Sequence, residues 1–387
     1  MSRVYLDHNA TSPIRPQAVR ALRDVLMGPA ANASSLHAEG REARRILEEA
    51  RERVAGLVGL SPRDVVFTSG GSEAIAAAVH GVADKAAPKR RRILVSIIEH
   101  SAVLDSCRSL EGRGFVVESV ACNREGRVES ERFLSRLDSD VCLAAMQWAN
   151  NETGVIQPVD EVSRACAAAG VPLLVDAVQA AGKMHLDPRR AEVPLLAISG
   201  HKLGGPQGTG ALLVREDVAL TPLIAGGAQE RRRRGGTEAV AALASFGAAA
   251  EEARVMLKDE AARMLRLRVR TESRLRDRFE DLEIHGQSAS RLPNTVNFSL
   301  PGVPGETLAI ALDVAGFAVS TGSACAAGSV KPSHVIRAMG YPEDGARGAV
   351  RISVGWSTTE DDVDRFLEAL PPIVEQVRKG LDVRSSP

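Results

Sequence analysis

The chain of 387 residues lacks a charge excess, a long apolar run and a cysteine framework, and each absence excludes something. Forty-nine basic residues balance forty-nine acidic ones, which removes any global argument for a nucleic-acid partner. No apolar run approaches the roughly 20 residues of a membrane helix. The segment Met1 to Asp7 has no hydrophobic signal-peptide core, so the expected location is the cytoplasm. Cysteines stand at 107, 122, 142, 166 and 325 without any Cys-x-x-Cys spacing, which argues against a metal site and against a disulfide scaffold in a chain this long. There is no internal repeat and no low-complexity tract. What is present is 44% hydrophobic residues, enough for a sizeable core divided between a large and a smaller domain.

Hydrophobic periodicity predicts helices over 16–27 and 39–57, the second with Ala43, Ile46, Leu47, Ala50, Val54 and Leu57 on one face. Strand-like runs follow at 65–68, 93–97, 116–120, 141–147, 173–176, 195–199 and 210–214, alternating with helical stretches. That alternation predicts an α/β fold with a mainly parallel, seven-stranded sheet covered by helices. A long charged helix over about 239–279 leads to a smaller α+β region with strands near 295–299 and 349–354. The expected division places 15–258 in the large domain and 1–14 with 259–387 in the small one.

The run Ile198-Ser199-Gly200-His201-Lys202-Leu203-Gly204-Gly205-Pro206 sets one lysine in a glycine-rich turn directly after an apolar strand. A lysine amine attacks a carbonyl only when deprotonated, which a desolvated pocket or a neighbouring cation promotes. Lys202 is therefore a candidate Schiff-base lysine, with a solvated turn lysine as the plainer alternative. Ser199 and His201 beside it can both bind a phosphate. Leu173-Leu174-Val175-Asp176 reads as a buried parallel strand ending in a carboxylate, at the strand end where open α/β sheets bind ligands. Asp176 can pair with the protonated pyridine nitrogen of pyridoxal 5'-phosphate (PLP), and Gln179 can reach the ring's phenolic oxygen. A helix-capping aspartate beside a solvated glutamine is the other reading. In Val65-Val66-Phe67-Thr68-Ser69-Gly70-Gly71-Ser72-Glu73-Ala74 a strand turns through two glycines into an alanine-rich helix. Gly71 and Ser72 then offer free N–H groups to a phosphate, unless Ser72 is an ordinary cap.

With these segments the chain resembles the fold-type I PLP enzymes, and more narrowly the cysteine desulfurases of the NifS/IscS type in the class V aminotransferase group. The resemblance runs nearly end to end. It includes Tyr5-Leu6-Asp7-His8-Asn9-Ala10-Thr11, Asn32-Ala33-Ser34-Ser35-Leu36-His37, Glu99-His100, Asn150-Asn151-Glu152-Thr153-Gly154, Gly235-Gly236-Thr237-Glu238, Ser323-Ala324-Cys325 and Arg351-Ile352-Ser353. It implies that His100 stacks on the cofactor ring and shuttles protons, although a capping histidine would fit the same position. It implies that Asn151 touches the ring oxygen and the substrate carboxylate, which Arg351 also binds. Thr237 is expected to reach the cofactor phosphate of a neighbouring subunit, which makes a homodimer part of the site.

Cys107, Cys142 and Cys166 fall in helical or strand patterns and read as small buried hydrophobes, while Cys122 stays ambiguous. Cys325 lies among Gly322, Ser323, Ala324, Ala326, Ala327, Gly328 and Ser329, a composition that favours an exposed, mobile loop over about 321–331. A tolerated surface thiol is the bland reading. The resemblance makes Cys325 the nucleophile that takes sulfur from L-cysteine as a persulfide, leaves L-alanine, and passes the sulfur to a protein acceptor for iron–sulfur clusters or another thio-cofactor. A selenocysteine lyase, an aminotransferase of the same fold and a non-catalytic sulfur-transfer scaffold remain alternatives. Departures from the family pattern are Ala33, Gln207 and the run Arg231-Arg232-Arg233-Arg234, expected to be a solvated loop. The chain ends at Ser385-Ser386-Pro387 without the longer tail that housekeeping members use to dock a scaffold protein, which leaves the acceptor open.

Overall fold

The computed structural model describes residues 3–321 and 332–385. Its strands in chain order are β1 (Val4–Tyr5), β2 (Val65–Thr68), β3 (Arg92–Ser96), β4 (Val116–Val120), β5 (Val141–Gln147), β6 (Leu173–Asp176), β7 (Leu195–Ser199), β8 (Gly210–Val214), β9 (Glu283–Ile284), β10 (Thr295–Ser299), β11 (Phe317–Ala318), β12 (Ser320–Thr321) and β13 (Val350–Ser353). Helices α1 (Pro16–Leu26), α2 (Ala38–Val58), α3 (Gly71–Lys85), α4 (Ser101–Arg108), α5 (Ser130–Leu134) and α6 (Val159–Ala168) fall before or between the strands of the large sheet. The long α7 (Val240–Arg278) follows, then α8 (Gly305–Val314), α9 (His334–Ala338), α10 (Glu343–Arg347) and α11 (Glu360–Ser385).

The large sheet has the order β2-β8-β7-β6-β5-β3-β4. Strands β4, β3, β5, β6 and β7 are mutually parallel, and β8 runs antiparallel to both β7 and β2. All seven expected strands of this sheet form, with the second shifted by one residue to Arg92–Ser96. Burial on both faces explains why they read as continuous apolar runs. On β5, Val141, Ala144 and Met146 join one apolar cluster while Cys142, Leu143 and Ala145 join the one on the opposite face. The chain places β4 outside β3 and then returns to set β5 on the other side of β3. That reversal of direction opens a crevice at the carboxyl ends of β3 and β5.

The helices carry the signals expected of their ends. Pro16 starts α1, where its missing N–H costs nothing. The His37 side chain accepts from Gly40 N to cap α2, and Gly59 ends that helix at φ 69°. Helix α7 packs on both α1 and α2. A second sheet, β12-β13-β10-β9, is antiparallel, while β1 pairs in parallel with β11. Its apolar cluster draws on Val4, Leu6 and residues from Met264 to Val377. The amino-terminal strand is thus tied to the carboxyl-terminal third, and the residues after it, Asp7 to Thr11, are carried across the ends of the large sheet.

The four-arginine run is solvated in part, with Arg231 and Arg232 exposed and Arg233 and Arg234 half-buried, but it is anchored to the fold. Glu230 just before it is buried and accepts both Arg51 guanidinium nitrogens and the Phe67 N–H. This buried anchor holds Glu230, Arg231 and Arg232 at positive φ of 46°, 55° and 64°. Arg231 donates to the Arg63 carbonyl, and Arg234 pairs with Glu73.

Candidate active site

A cavity of about 310 Å³ opens where the strands of the large sheet end. Most of its wall comes from residues at or just beyond the ends of those strands. After β3, His100 caps α4, its Nδ1 accepting from Ala102 N at 3.1 Å. That bond leaves the ring proton of the neutral imidazole on Nε2. His100 therefore serves as both cap and cavity wall, the two roles its sequence context left open.

After β5, a turn built on Asn150 presents Asn151. The buried Asn150 Oδ1 accepts from Glu152 N and Thr153 N, both at 2.9 Å, while its Nδ2 donates to the Ile98 carbonyl. The turn is thereby fixed, with Asn151 on the cavity wall. At the end of β6, Asp176 is buried and its Oδ1 accepts from Val178 N at 2.9 Å. Burial pushes its carboxyl up, while His100 and Lys202 pull it back down. A cation placed against it would favour the ionised form further.

At the end of β7, Ser199 is buried and its hydroxyl has no partner among the described residues. A single 3-10 turn, Gly200–Lys202, then brings His201 and Lys202 to the cavity. His201 Nδ1 lies 3.1 Å from Thr11 Oγ1, and burial with the nearby Lys202 and Lys183 pulls its imidazole down to about 4, so it is neutral at physiological pH. Lys202 Nζ donates to the carbonyls of Asn9 and Ala10 in the crossing amino-terminal segment. Opposite stands the first turn of α3, with Gly71 and Ser72 on the wall. A Cβ at Gly71 would lie 2.9 Å from Val178 Cγ2, so only glycine lets the helix end approach this closely.

Arg351, on β13, closes the cavity from the other sheet. Its Nη2 pairs with Asp7 Oδ1 at 2.6 Å and its Nη1 donates to the Asn151 carbonyl at 3.1 Å, while its buried Nε has no partner among the described residues. Its guanidinium is thus already oriented by Asp7. Gln179 completes the ring of predicted residues, donating through Nε2 to the Asn9 carbonyl at 2.9 Å.

The structure therefore brings Gly71, Ser72, His100, Asn151, Asp176, Gln179, Ser199, His201, Lys202 and Arg351 into one cavity. Thr237 is exposed and not on its wall. Cys325 and the expected loop beyond Thr321 lie outside the described residues. The four described cysteines are buried, and burial pushes the thiols of Cys107 and Cys166 up to about 12 and those of Cys122 and Cys142 up to about 11. None of the four is suited to act as a thiolate. Sequence reasoning assigned no role to Asn9, Asp7 or Lys183. Asn9 and Asp7 stood in a quoted motif, but only the fold reveals that this segment crosses the strand ends. Lys183 carried one usable signal: a lysine four residues after Gln179, inside the apolar stretch Ala177 to Leu186.

The sequence profile of the family Aminotransferase class-V matches residues 4–366. The chain belongs to this family. Its class-V sequence is 42% identical to a cysteine desulfurase of Cereibacter sphaeroides, over 98% of this chain and 97% of the relative. It is 38% identical to the cysteine desulfurase NifS of Azotobacter vinelandii, over 98% of this chain and 94% of that one. A solved structure described as a NifS-like protein superposes on this class-V fold with a TM-score of 0.90 at 35% identity, covering 97% of this chain and all of the other. No helix among the described residues is long and apolar enough to cross a membrane.

Proposed function

We propose that this chain is a PLP-dependent cysteine desulfurase that converts L-cysteine to L-alanine and takes the sulfur on Cys325. The observation that carries the reading is the convergence, at the carboxyl ends of adjacent strands, of a lysine amine, a buried carboxyl and a glycine-opened helix end in one cavity. Relatives named cysteine desulfurase, similar over 98% of the chain, support it.

The residues present fit the cofactor. The unpartnered Ser199 hydroxyl lies buried beside the first turn of α3, where free backbone N–H groups favour a phosphate. Asp176 is a buried carboxyl suited to a protonated ring nitrogen. Gly71, Ser72, Ser199 and His201 would hold the phosphate, Asp176 the ring nitrogen, Gln179 and Asn151 the ring oxygen, and Lys202 the carbonyl carbon. His100 would cover the ring, and Thr237 of a second copy would reach the phosphate in a homodimer. When bound, PLP supplies an electron sink for the bonds at the substrate's α-carbon.

The chain's own groups divide the remaining work. Arg351, oriented by Asp7, and Asn151 bind the carboxylate of L-cysteine. Lys202 Nζ and His100 Nε2 take and return protons on either side of the substrate. The Cys325 thiolate attacks the substrate sulfur, and a sulfur–sulfur bond forms as the carbon–sulfur bond breaks with its electron pair staying on carbon. Protonation of that carbon yields L-alanine, and the persulfide passes to a protein acceptor. The small domain of residues 1–14 and 259–387, the cytoplasmic location and an acceptor serving iron–sulfur or other thio-cofactor assembly belong to this same proposal.

The test is alanine released from L-cysteine by the purified, PLP-loaded protein with a reductant present, run beside Cys325→Ser and beside L-selenocysteine as substrate. Alanine from wild type and little from the variant agrees with the reading. Alanine at the same rate from both sinks the sulfur-transfer role of Cys325, and turnover of selenocysteine alone would make the chain a lyase for that substrate.

A further inference from the structure

Lys183 is the buried cation for which neither the fold nor the proposed chemistry accounts. It follows Gln179 by four residues, in the turn after β6, and is only 5% exposed. Its Nζ donates to the backbone carbonyl of Gln179 at 3.0 Å and to Gln179 Oε1 at 2.9 Å. Among the described residues no carboxylate pairs with it, although isolated buried cations are costly and normally acquire one. Burial, with Lys202 and Arg351 nearby, pulls its amine down to about 7.

An ammonium or amine donor facing an amide settles which way that amide points, because the oxygen must face the donor. The Gln179 NH2 is then turned outward. One of its hydrogens goes to the Asn9 carbonyl at 2.9 Å, the same carbonyl that accepts from Lys202 Nζ. Gln179 itself lies on the cavity wall. Lys183, Gln179, Asn9 and Lys202 thus form one hydrogen-bonded chain that borders the cavity.

We infer that Lys183 is a positioning residue that fixes the Gln179 carboxamide with its N–H toward the cavity and the Asn9 carbonyl, so that Gln179 acts there as a donor. This rests on the reading of the cavity as a PLP site. Without Lys183 only the Asn9 carbonyl holds the carboxamide against a flip that would present its oxygen, an acceptor that a ring oxygen repels.

The experiment uses the full chain loaded with PLP and compares wild type, Lys183→Met, Lys183→Gln, Gln179→Ala and the two double variants. The readouts are the PLP dissociation constant and the position of the visible absorbance band of bound PLP. A hydrogen bond from a charged donor corresponds to about a tenfold effect, so each Lys183 variant is expected to bind PLP about tenfold more weakly. Its band should also shift in the direction seen for Gln179→Ala. In the Gln179→Ala background the same Lys183 changes should add little, because they act through that amide. Two Lys183 variants of different polarity are used so that one that misfolds, judged by circular dichroism, leaves the other. Equal effects in both backgrounds, or a wild-type band in the Lys183 variants, would overturn the inference while leaving the cofactor site intact. Wild-type protein that binds no PLP would overturn both.

Discussion

Arg51 and Glu230 are as deeply buried as Lys183 and Asp176, yet the two sets of charges are kept inside the protein by different means. The Arg51 guanidinium meets the Glu230 carboxylate through two bonds of 2.7 and 2.8 Å, and the remaining carboxylate capacity takes the Phe67 N–H. Arg15 and Glu260 repeat the arrangement on α7, at 2.8 and 2.7 Å. These pairs are closed: every charge is answered within the chain, and their work is to pin a loop or a helix. At the strand ends the accounts stay open. Among the described residues Lys183 rests on carbonyl groups alone, Asp176 accepts a single backbone N–H, and Ser199 Oγ and Glu99 Oε2 have no partner. Incomplete buried polar groups occur elsewhere too, at Ser163 and Glu272 for example, but those of Ser199 and Arg351 border the cavity at the strand ends, in which an outside group could complete them.

The contrast can be broken by substitutions whose effects should separate into function and stability. The largest effect is expected from Asp176→Asn, which removes the carboxylate proposed to face the cofactor's ring nitrogen. It should lower kcat by about a hundredfold or more, the loss typical of one preorganised electrostatic partner. Thermal stability should be kept or raised, since the variant buries a neutral group; a loss of stability with kcat unchanged would place Asp176 among the closed pairs.

Glu230→Gln should do the reverse. It leaves the buried Arg51 guanidinium only the half-exposed Glu48 carboxylate as a counter-charge, so denaturant unfolding should register a loss of about 3 kcal/mol. A loss below about 1 kcal/mol would mean that the arginine reaches water by another path.

Ser199→Ala sharpens the comparison at smaller scale. Because the hydroxyl has no partner among the described residues, its removal should leave unfolding free energy within about 0.5 kcal/mol of wild type. Affinity for PLP should nonetheless fall about tenfold. A destabilised variant with unchanged affinity would show that the hydroxyl works for the fold.

The smallest effect is a pH dependence. Burial, with Asp176 adding to it, pushes the Glu99 carboxyl up to about 8 against bonds from Gln147 N and Ser96 that lower it. The folded state then holds a proton that the unfolded state has released above about 4.5, the ordinary value. Stability contributed by Glu99 is full below that value and is lost as pH rises toward 8. Glu99→Gln should flatten the fall in melting temperature across that window. An unchanged slope would assign the dependence elsewhere.

The strands of the large sheet were legible because burial on both faces writes each of them as an unbroken apolar run bounded by polar or glycine-rich turns. Val141 to Gln147 and Leu195 to Ser199 match their observed strands residue for residue. The cavity residues that directly follow those strands were legible for the same reason, since strand ends are where an α/β sheet binds. What lay beyond reach was contact across hundreds of residues. Asp7 orients Arg351 from the opposite end of the chain, and nothing local to either residue announces the pair. The anchoring of the arginine run was not legible because Glu230 is buried against Arg51, 179 positions away. Lys183 was passed over because a lysine in a turn ordinarily reaches solvent.

The most direct test of the central claim is to reduce the PLP-loaded wild-type protein with borohydride, digest it, and locate the phosphopyridoxyl group by mass spectrometry. The account predicts the added mass on the peptide carrying Lys202, and none on the one carrying Lys183. An adduct on Lys183 instead, or no adduct on either peptide, would contradict it.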